Sequence, residues 1–306
     1  MYLFDCSKKG WFSTLIILSA IMLIVIWYKR QDLSPYYEGF IQDGPYIFKT
    51  GKDTFDDFYA QIYNKLMESE TICSYQIDKL VEMTHPSKES STFLDIGSGT
   101  GEMSGQLSKK GYNVYAIDES QAMTKYIDTK YPKVHTKCGS AKQSMTYEKS
   151  SFSHVICNGL TVYLFNDKNE FFSNCFFWLK SGGYLILHLV EPNKFDTIVP
   201  GGKPELTSNP QDDVDSRILK TNIDFIDFKY QGKYDFGKDN EVTFKETFTD
   251  DLTKNIRQQE TQYYMESMED ILKIASHNGF IPHAQINLSE CSGDKHQHLV
   301  ILERTQ

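Results

Sequence analysis

Apolar residues follow two main rhythms along this 306-residue chain. From residue 93 to residue 190 they gather into short runs: Phe93, Leu94 and Ile96, then 112–118 (YNVYAID), 134–138, 153–157 (SHVIC) and 184–190 (YLILHLV). Runs of this length, closed by turn residues, read as strands buried on both faces of a parallel sheet. Segments with helical character lie between them, at 101–110, at 121–130 where Pro132 stops the helix, and at 171–179. Strand and helix therefore alternate, as in a doubly wound α/β sheet. After a Gly/Pro/Asn/Asp-rich stretch at 200–216 the rhythm changes. Residues 223–230, 242–249 and 255–264 alternate polar with apolar or aromatic side chains, which predicts three half-buried antiparallel strands. Helical spacing returns at 268–278 and ends on Gly279, as a helix C-cap should.

The link from the first run to the first helix carries the chemistry. FLDIGSGTG, at 93–101, puts Gly97, Gly99 and Gly101 where the backbone bends sharply and a Cβ would collide with a bound ligand. A dinucleotide fingerprint needs its third glycine where Glu102 stands, and no Gly-Lys-Ser/Thr follows as a P-loop requires. What remains is D-x-G-x-G-x-G, with Asp95 ahead of the turn and Asp118 at the tip of the second strand. This combination resembles the class I S-adenosylmethionine-dependent methyltransferases.

The resemblance implies that Asp95, Gly97, Ser98, Gly99 and Gly101 form a turn cradling the amino-acid end of S-adenosyl-L-methionine. It also implies that Asp118 accepts hydrogen bonds from the ribose hydroxyls. After the third strand the family usually places an acidic adenine contact, but this chain has Gly139-Ser140-Ala141, so Ser140 brings a hydroxyl without charge. Asn158 and Leu160 follow the fourth strand, where ligands dock on an open α/β sheet. Residues 55–66 (FDDFYAQIYNKL) resemble the N-terminal helix of related small-molecule methyltransferases, whose tyrosines face the cofactor. Tyr59 and Tyr63 share one helical face, and an aromatic packing stripe is the other reading. The family's order continues through a fifth strand entered by Gly182 and Gly183 and an antiparallel last pair at 281–288 and 298–303. The expectation is an α/β fold, a doubly wound seven-stranded Rossmann-like methyltransferase sheet spanning 53–306. The inserted strands, at about 200–265, would form an antiparallel β lid, or an oligomerisation sheet whose free edge pairs with a second copy in a homo-oligomer.

Methyl transfer asks mainly that nucleophile, methyl carbon and sulfur be held in line, and a general base is optional. The candidates for one are His188 and Glu191, in LHLVEP. For His188 the competing reading is a packed core histidine, and for Glu191 a solvated loop carboxylate. His296 and His298 share a face of the last strand, but without a third ligand no metal site is expected.

Residues 10–28 carry no charge and would make a helix about 28 Å long. Trp27, Tyr28, Lys29 and Arg30 stand where a cleaved signal peptide would show small residues. The segment 1–30 therefore reads as a single-pass membrane anchor, its transmembrane helix at about 11–28, followed by a linker at 31–52. Lys8 and Lys9 balance Lys29 and Arg30, so orientation comes from the intracellular cofactor, which places the domain in the cytosol. Six scattered cysteines without a C-x-x-C pair agree with reduced thiols, and the sequon at Asn287 is expected to carry no glycan. The net charge is −9, and the first thirty residues hold more basic than acidic side chains, so the rest is more acidic still. Nucleic acid, which needs a basic stripe, is not the expected partner. The reading is methyl transfer to an N or O atom of a small-molecule or lipophilic acceptor. A protein methyltransferase and a catalytically silent methyltransferase-like binding module at a membrane are the alternatives.

Overall fold

The computed structural model describes residues 16–24, 42, 44–203, 210–213 and 216–306. The chain divides into two units, Met1–Asp43 and Gly44–Gln306. In the first, residues 16–24 are helical, with Ile16, Leu18, Met22 and Leu23 exposed. The rest of the expected anchor helix, at 11–15 and 25–28, lies outside the described residues, as do Cys6, Lys8, Lys9, Lys29 and Arg30. Among the described residues no helix is long and apolar enough to cross a membrane.

The second unit opens with strand β1 (Tyr46–Thr50), inside the stretch read as a linker, and helices α1 (Asp57–Met67) and α2 (Ser69–Thr84). Asp56 starts α1 by accepting a hydrogen bond from the Tyr59 N–H at 3.1 Å. Buried Tyr59, Ile62 and Leu66 then recur every three or four residues, so one face packs inward. Next come β2 (Thr92–Ile96), α3 (Glu102–Lys109), β3 (Asn113–Asp118), α4 (Gln121–Lys130) and β4 (His135–Cys138). They are followed by β5 (Phe152–Cys157), α5 (Lys168–Trp178) and β6 (Leu179–Val190). Helix α5 begins three residues before the apolar run that announced it, because Asp167 caps it by accepting from the Glu170 N–H at 3.1 Å.

After β6 the chain forms β7 (Lys220–Asp224), β8 (Phe228–Phe236), β9 (Glu241–Asp250) and β10 (Ile256–Tyr264), then α6 (Met268–His277), β11 (Phe280–Asn287) and β12 (Gln297–Arg304). The main sheet has seven strands in the order β11-β12-β6-β5-β2-β3-β4; β2 to β6 are parallel, and β11 and β12 are antiparallel. Phe93, Val114, Ala116, Ile156 and Ile186 are fully covered, and Ile77 and Leu80 of α2 and Leu107 of α3 pack in the same cluster. That two-sided burial is why these strands read as unbroken apolar runs. From β2 the chain winds outward through β3 and β4, then returns to β5 on the other side of β2. The reversal leaves a crevice at the strands' C-terminal ends, where such sheets bind ligands.

The second sheet has the order β1-β10-β9-β8-β7, antiparallel except for the parallel β1–β10 pair. The single strand expected at 223–230 is two strands. The alternation breaks at Phe225-Ile226, Ile226 is 81% exposed, and the Phe225 N–H donates to the Phe228 carbonyl at 2.9 Å, so the chain reverses there. The inserted segment thus supplies four strands, and β1 adds a fifth from the other end of the unit.

Candidate functional site

At the end of β2 the chain enters a turn that only glycine accommodates. Gly97 has φ +61°, and a Cβ on it would lie 2.3 Å from the Thr161 methyl. Gly99 has φ +52°, and a Cβ there would meet only the Tyr63 ring, at 3.9 Å, so it would project into open cavity. Left-handed backbone disfavours any side chain at both positions. Asp118, at the tip of β3, holds the turn: its Oδ2 accepts from the Gly99 N–H at 2.9 Å and its Oδ1 from the Ser120 N–H at 2.8 Å. Burial raises this carboxyl, and the two N–H bonds oppose the rise.

Asp95 lies one step deeper, 2% exposed, with the Ser104 hydroxyl donating to it at 2.5 Å. Burial pushes its carboxyl up from 3.8 to about 7. Between these two values the unfolded chain loses its proton while the folded chain keeps it, so stability falls as pH rises through that window. Above it the penalty is complete, at most about 4 kcal/mol. Asp95→Asn is therefore expected to melt higher than wild type at pH 8 without cofactor, and to coincide with it near pH 4. Thermal melts with the same offset at both pH values would show that Asp95 ionises normally.

The turn borders a cavity that also meets Asn158, Leu160 and Thr161 after β5, His188 of β6, Tyr63 and Gln76 of the two N-terminal helices, and Tyr234 and Tyr263 of the second sheet. Besides Asp196 Oδ2, which is ion-paired with Lys203 at 2.6 Å, four buried polar atoms on this lining have no hydrogen-bond partner: Ser98 Oγ, Gln76 Nε2, Asn158 Oδ1 and His188 Nδ1. An unsatisfied buried polar group costs about 1 to 3 kcal/mol, and four around one cavity call for a ligand. Gln76 and Asn158 are tied to each other, the Asn158 amide donating to Gln76 Oε1 at 2.6 Å. What is left over is an amide donor, a carbonyl acceptor and the Ser98 hydroxyl. These fit the amino-acid end of S-adenosylmethionine: Gln76 and Ser98 can donate to its carboxylate, and Asn158 can accept from its ammonium.

His188 is 8% exposed, and its Nε2 lies 3.0 Å from Gln297 Oε1. The Gln297 amide in turn donates to Asp294 at 2.9 Å. Burial lowers the imidazole to about 4, against the opposing contact with Gln297, so it is neutral at pH 7. Glu191 is not on the cavity lining. Hydrogen bonds from Lys194, at 2.8 Å, and His296, at 3.1 Å, hold its carboxyl down at about 2.

The other expected site residues divide as follows. Gly101 is the N-cap of α3, with φ +72°, behind the cavity lining. Tyr63 lines the cavity, whereas Tyr59, with its ring 5.7 Å from that of Tyr63, turns its hydroxyl to buried Glu246 at 2.8 Å. Ser140 donates to Glu119 at 2.5 Å and is also off the lining. Sequence reasoning missed Gln76, Tyr234 and Tyr263. For Gln76 a signal existed, since it occupies a core position of α2 beside buried Cys73, Ile77 and Leu80. Cys73, Cys138, Cys157, Cys175 and Cys291 are free thiols, and among the described residues no three His, Cys, Asp or Glu side chains converge to hold a metal.

Comparison with known proteins points the same way. A family model described as a methyltransferase domain matches residues 94–187. The chain is similar to phosphoethanolamine N-methyltransferase 1 of Zea mays, 28% identical over 105 residues, or 33% of this chain. It spans only 21% and 61% of the lengths of the two curated relatives it matches. Among solved structures, a S-adenosylmethionine-dependent methyltransferase from Clostridium acetobutylicum ATCC 824 aligns with TM-score 0.62 at 19% identity, over 82% of this chain and 99% of that one. The sugar N-methyltransferase KedS8 from Streptoalloteichus sp. ATCC 53650 aligns with TM-score 0.60 at 15% identity, over 82% and 92%. At such identities the structural likeness shows a shared fold, while the matched segment runs from within β2 to within β6 and includes the whole glycine turn. The chain carries a class I S-adenosylmethionine-dependent methyltransferase domain, with S-adenosyl-L-methionine as its methyl donor.

Proposed function

We propose that this protein transfers a methyl group to a nitrogen or oxygen atom of a small acceptor held between the glycine turn and the second sheet. The observation that carries this reading is the one cavity where the turn, the unpartnered polar atoms of Gln76, Ser98 and Asn158, and two tyrosines of the second sheet all meet. When bound, S-adenosylmethionine supplies a methyl carbon already activated on a positive sulfur. The chain's task is then to orient the nucleophile and exclude water, a service worth up to about 7 to 11 kcal/mol. His188, neutral and with its Nδ1 unpartnered, is the lining group suited to accept a hydrogen bond from the acceptor and orient it, while burial, which holds its imidazole at about 4, leaves the proton itself to water. Glu191 serves instead to fix the loop after β6 through Lys194 and His296. Small-molecule acceptors are named for the maize relative and for KedS8, which supports the same class here.

The uncharged stretch at 10–28 supports a membrane anchor, with the catalytic domain on the cytosolic side and a lipophilic acceptor within reach. Two measurements test the whole reading. Full-length protein should stay in the membrane pellet after alkaline carbonate extraction, and release would refute the anchor. Membrane-bound protein given radiolabelled S-adenosylmethionine and fractionated extract should label a small-molecule fraction. Label on protein bands would favour protein methylation, and tight cofactor binding with no transfer to any fraction would mark a silent binding module.

A further inference from the structure

We propose that Tyr63, Tyr234 and Tyr263 form an aromatic subsite in this cavity that takes an amine or ammonium nitrogen, making the acceptor an amine rather than an anionic molecule. This deepens the methyltransferase reading and rests on it. The three residues come from α1, β8 and β10, and all three line the cavity. Among the described residues none of their hydroxyls has a hydrogen-bond partner. The contrast with their neighbours is sharp: Tyr59 on α1 and Tyr230 on β8 both donate to Glu246, at 2.8 and 2.9 Å. Two of the rings are braced from behind. Tyr63 meets Tyr59 edge-on at 5.7 Å, and Tyr234 stacks on Phe244 at 4.4 Å and meets Phe195 at 5.8 Å. Among the described residues no two of the three rings are in ring contact, and each borders the cavity.

The lining offers an anion no free positive partner. Its acids are themselves engaged, Asp95 with its carboxyl raised to about 7, Glu102 bonded to Lys130 at 3.1 Å and Asp196 to Lys203. Lys203, a cationic side chain of the same lining, is held 2.6 Å from Asp196 and donates to the Ser292 carbonyl at 2.9 Å. His188 is neutral. A phosphate or carboxylate would therefore find no uncommitted positive partner among the described lining residues, while a positive nitrogen would find ring faces and hydroxyl oxygens. Burial, together with the charge of nearby Glu246, keeps all three phenols protonated.

This placement suits the reaction. An acceptor arriving as an ammonium would first give a proton to water, and the neutral amine would then form the nitrogen–carbon bond as the carbon–sulfur bond breaks with its electron pair left on sulfur. The positive charge thus leaves sulfur and arrives on nitrogen, and the rings stabilise it there.

The test uses full-length protein in detergent, saturated with S-adenosylhomocysteine, and two probes of one shape, choline and neutral 3,3-dimethylbutan-1-ol. Calorimetry is expected to show choline binding at least tenfold more tightly. Tyr234→Leu and Tyr263→Leu should erase that preference, Tyr263→Phe should keep most of it, and S-adenosylhomocysteine affinity should be the same in all four proteins. Equal affinity for the two probes, no measurable choline binding, or a preference that survives both leucine variants would overturn the subsite. Failure of the wild-type protein to bind S-adenosylhomocysteine would instead overturn the methyltransferase reading.

Discussion

Asp118→Ala is expected to weaken S-adenosylmethionine binding at least thirtyfold while the protein keeps its fold. In the structure this carboxylate holds the Gly99 and Ser120 amides, and each oxygen keeps a second lone pair free for a ribose hydroxyl, the role the family resemblance implies. Hydrogen bonds to a charged acceptor are worth about 1.5 to 3 kcal/mol each. Removing the side chain loosens Gly99 and deletes the ribose acceptors together, so a loss of about 2 kcal/mol, or thirtyfold, is a lower bound. Asp118→Asn keeps one acceptor oxygen and should fall between the two. Calorimetry with S-adenosylhomocysteine, alongside circular dichroism to check the fold, makes the measurement. Unchanged affinity in the alanine variant would remove Asp118 from the cofactor site.

The parts of this site that were legible in the sequence are those built from neighbours in the chain. The glycine turn announces itself because three glycines at alternate positions after a buried strand have one good physical use, and Gly97 and Gly99 both adopt the left-handed backbone that use requires. The central strands of the main sheet, β2, β3, β5 and β6, are legible because burial on both faces writes an apolar run. The second sheet is half-legible: alternation marks its strands, but in the FIDF segment the pattern hides a reversal that only the exposure of Ile226 reveals. Strand β1 has five residues and takes its place from pairing with β10, two hundred residues away, which no local pattern encodes.

The two tyrosines of α1 show the same limit within a site. Helical spacing correctly puts Tyr59 and Tyr63 on one face, yet that face meets the cavity at one residue and the second sheet at the other. What separates them is Glu246, which comes from β9, and nothing near Tyr59 in sequence foretells it. Ser140 illustrates the converse. A hydroxyl in place of the family's acidic residue finds its own acid next door, in Glu119, and so brings that pair rather than a lone carboxylate to the tip of the sheet.

Glu246→Leu should be the most destabilising single change in the second sheet and should also weaken cofactor binding from a distance. The carboxylate is 1% exposed and accepts from Tyr59 at 2.8 Å, Tyr230 at 2.9 Å and Gln259 at 2.7 Å. Burial raises its carboxyl, and these donors, with the charge of Arg257, oppose the rise. A leucine would leave three buried donors without a partner, at about 1 kcal/mol or more each. The summed loss of about 3 kcal/mol corresponds to a fall in melting temperature of roughly 6 to 12 °C for a unit of this size. Glu246→Gln, which keeps the shape and one acceptor oxygen, should cost less. The effect on the cofactor follows from the helix that Tyr59 belongs to. Helix α1 carries Tyr63 into the cavity and Asn64 onto the glycine turn, where the Thr100 hydroxyl donates to Asn64 Oδ1. Loosening α1 from the second sheet therefore frees the turn that must hold the ligand, and S-adenosylhomocysteine affinity should fall in step with the melting temperature across leucine, glutamine and wild type. A leucine variant that melts within 2 °C of wild type would show that the network bears no stability. A large melting shift with unchanged affinity would show that α1 and the turn are uncoupled.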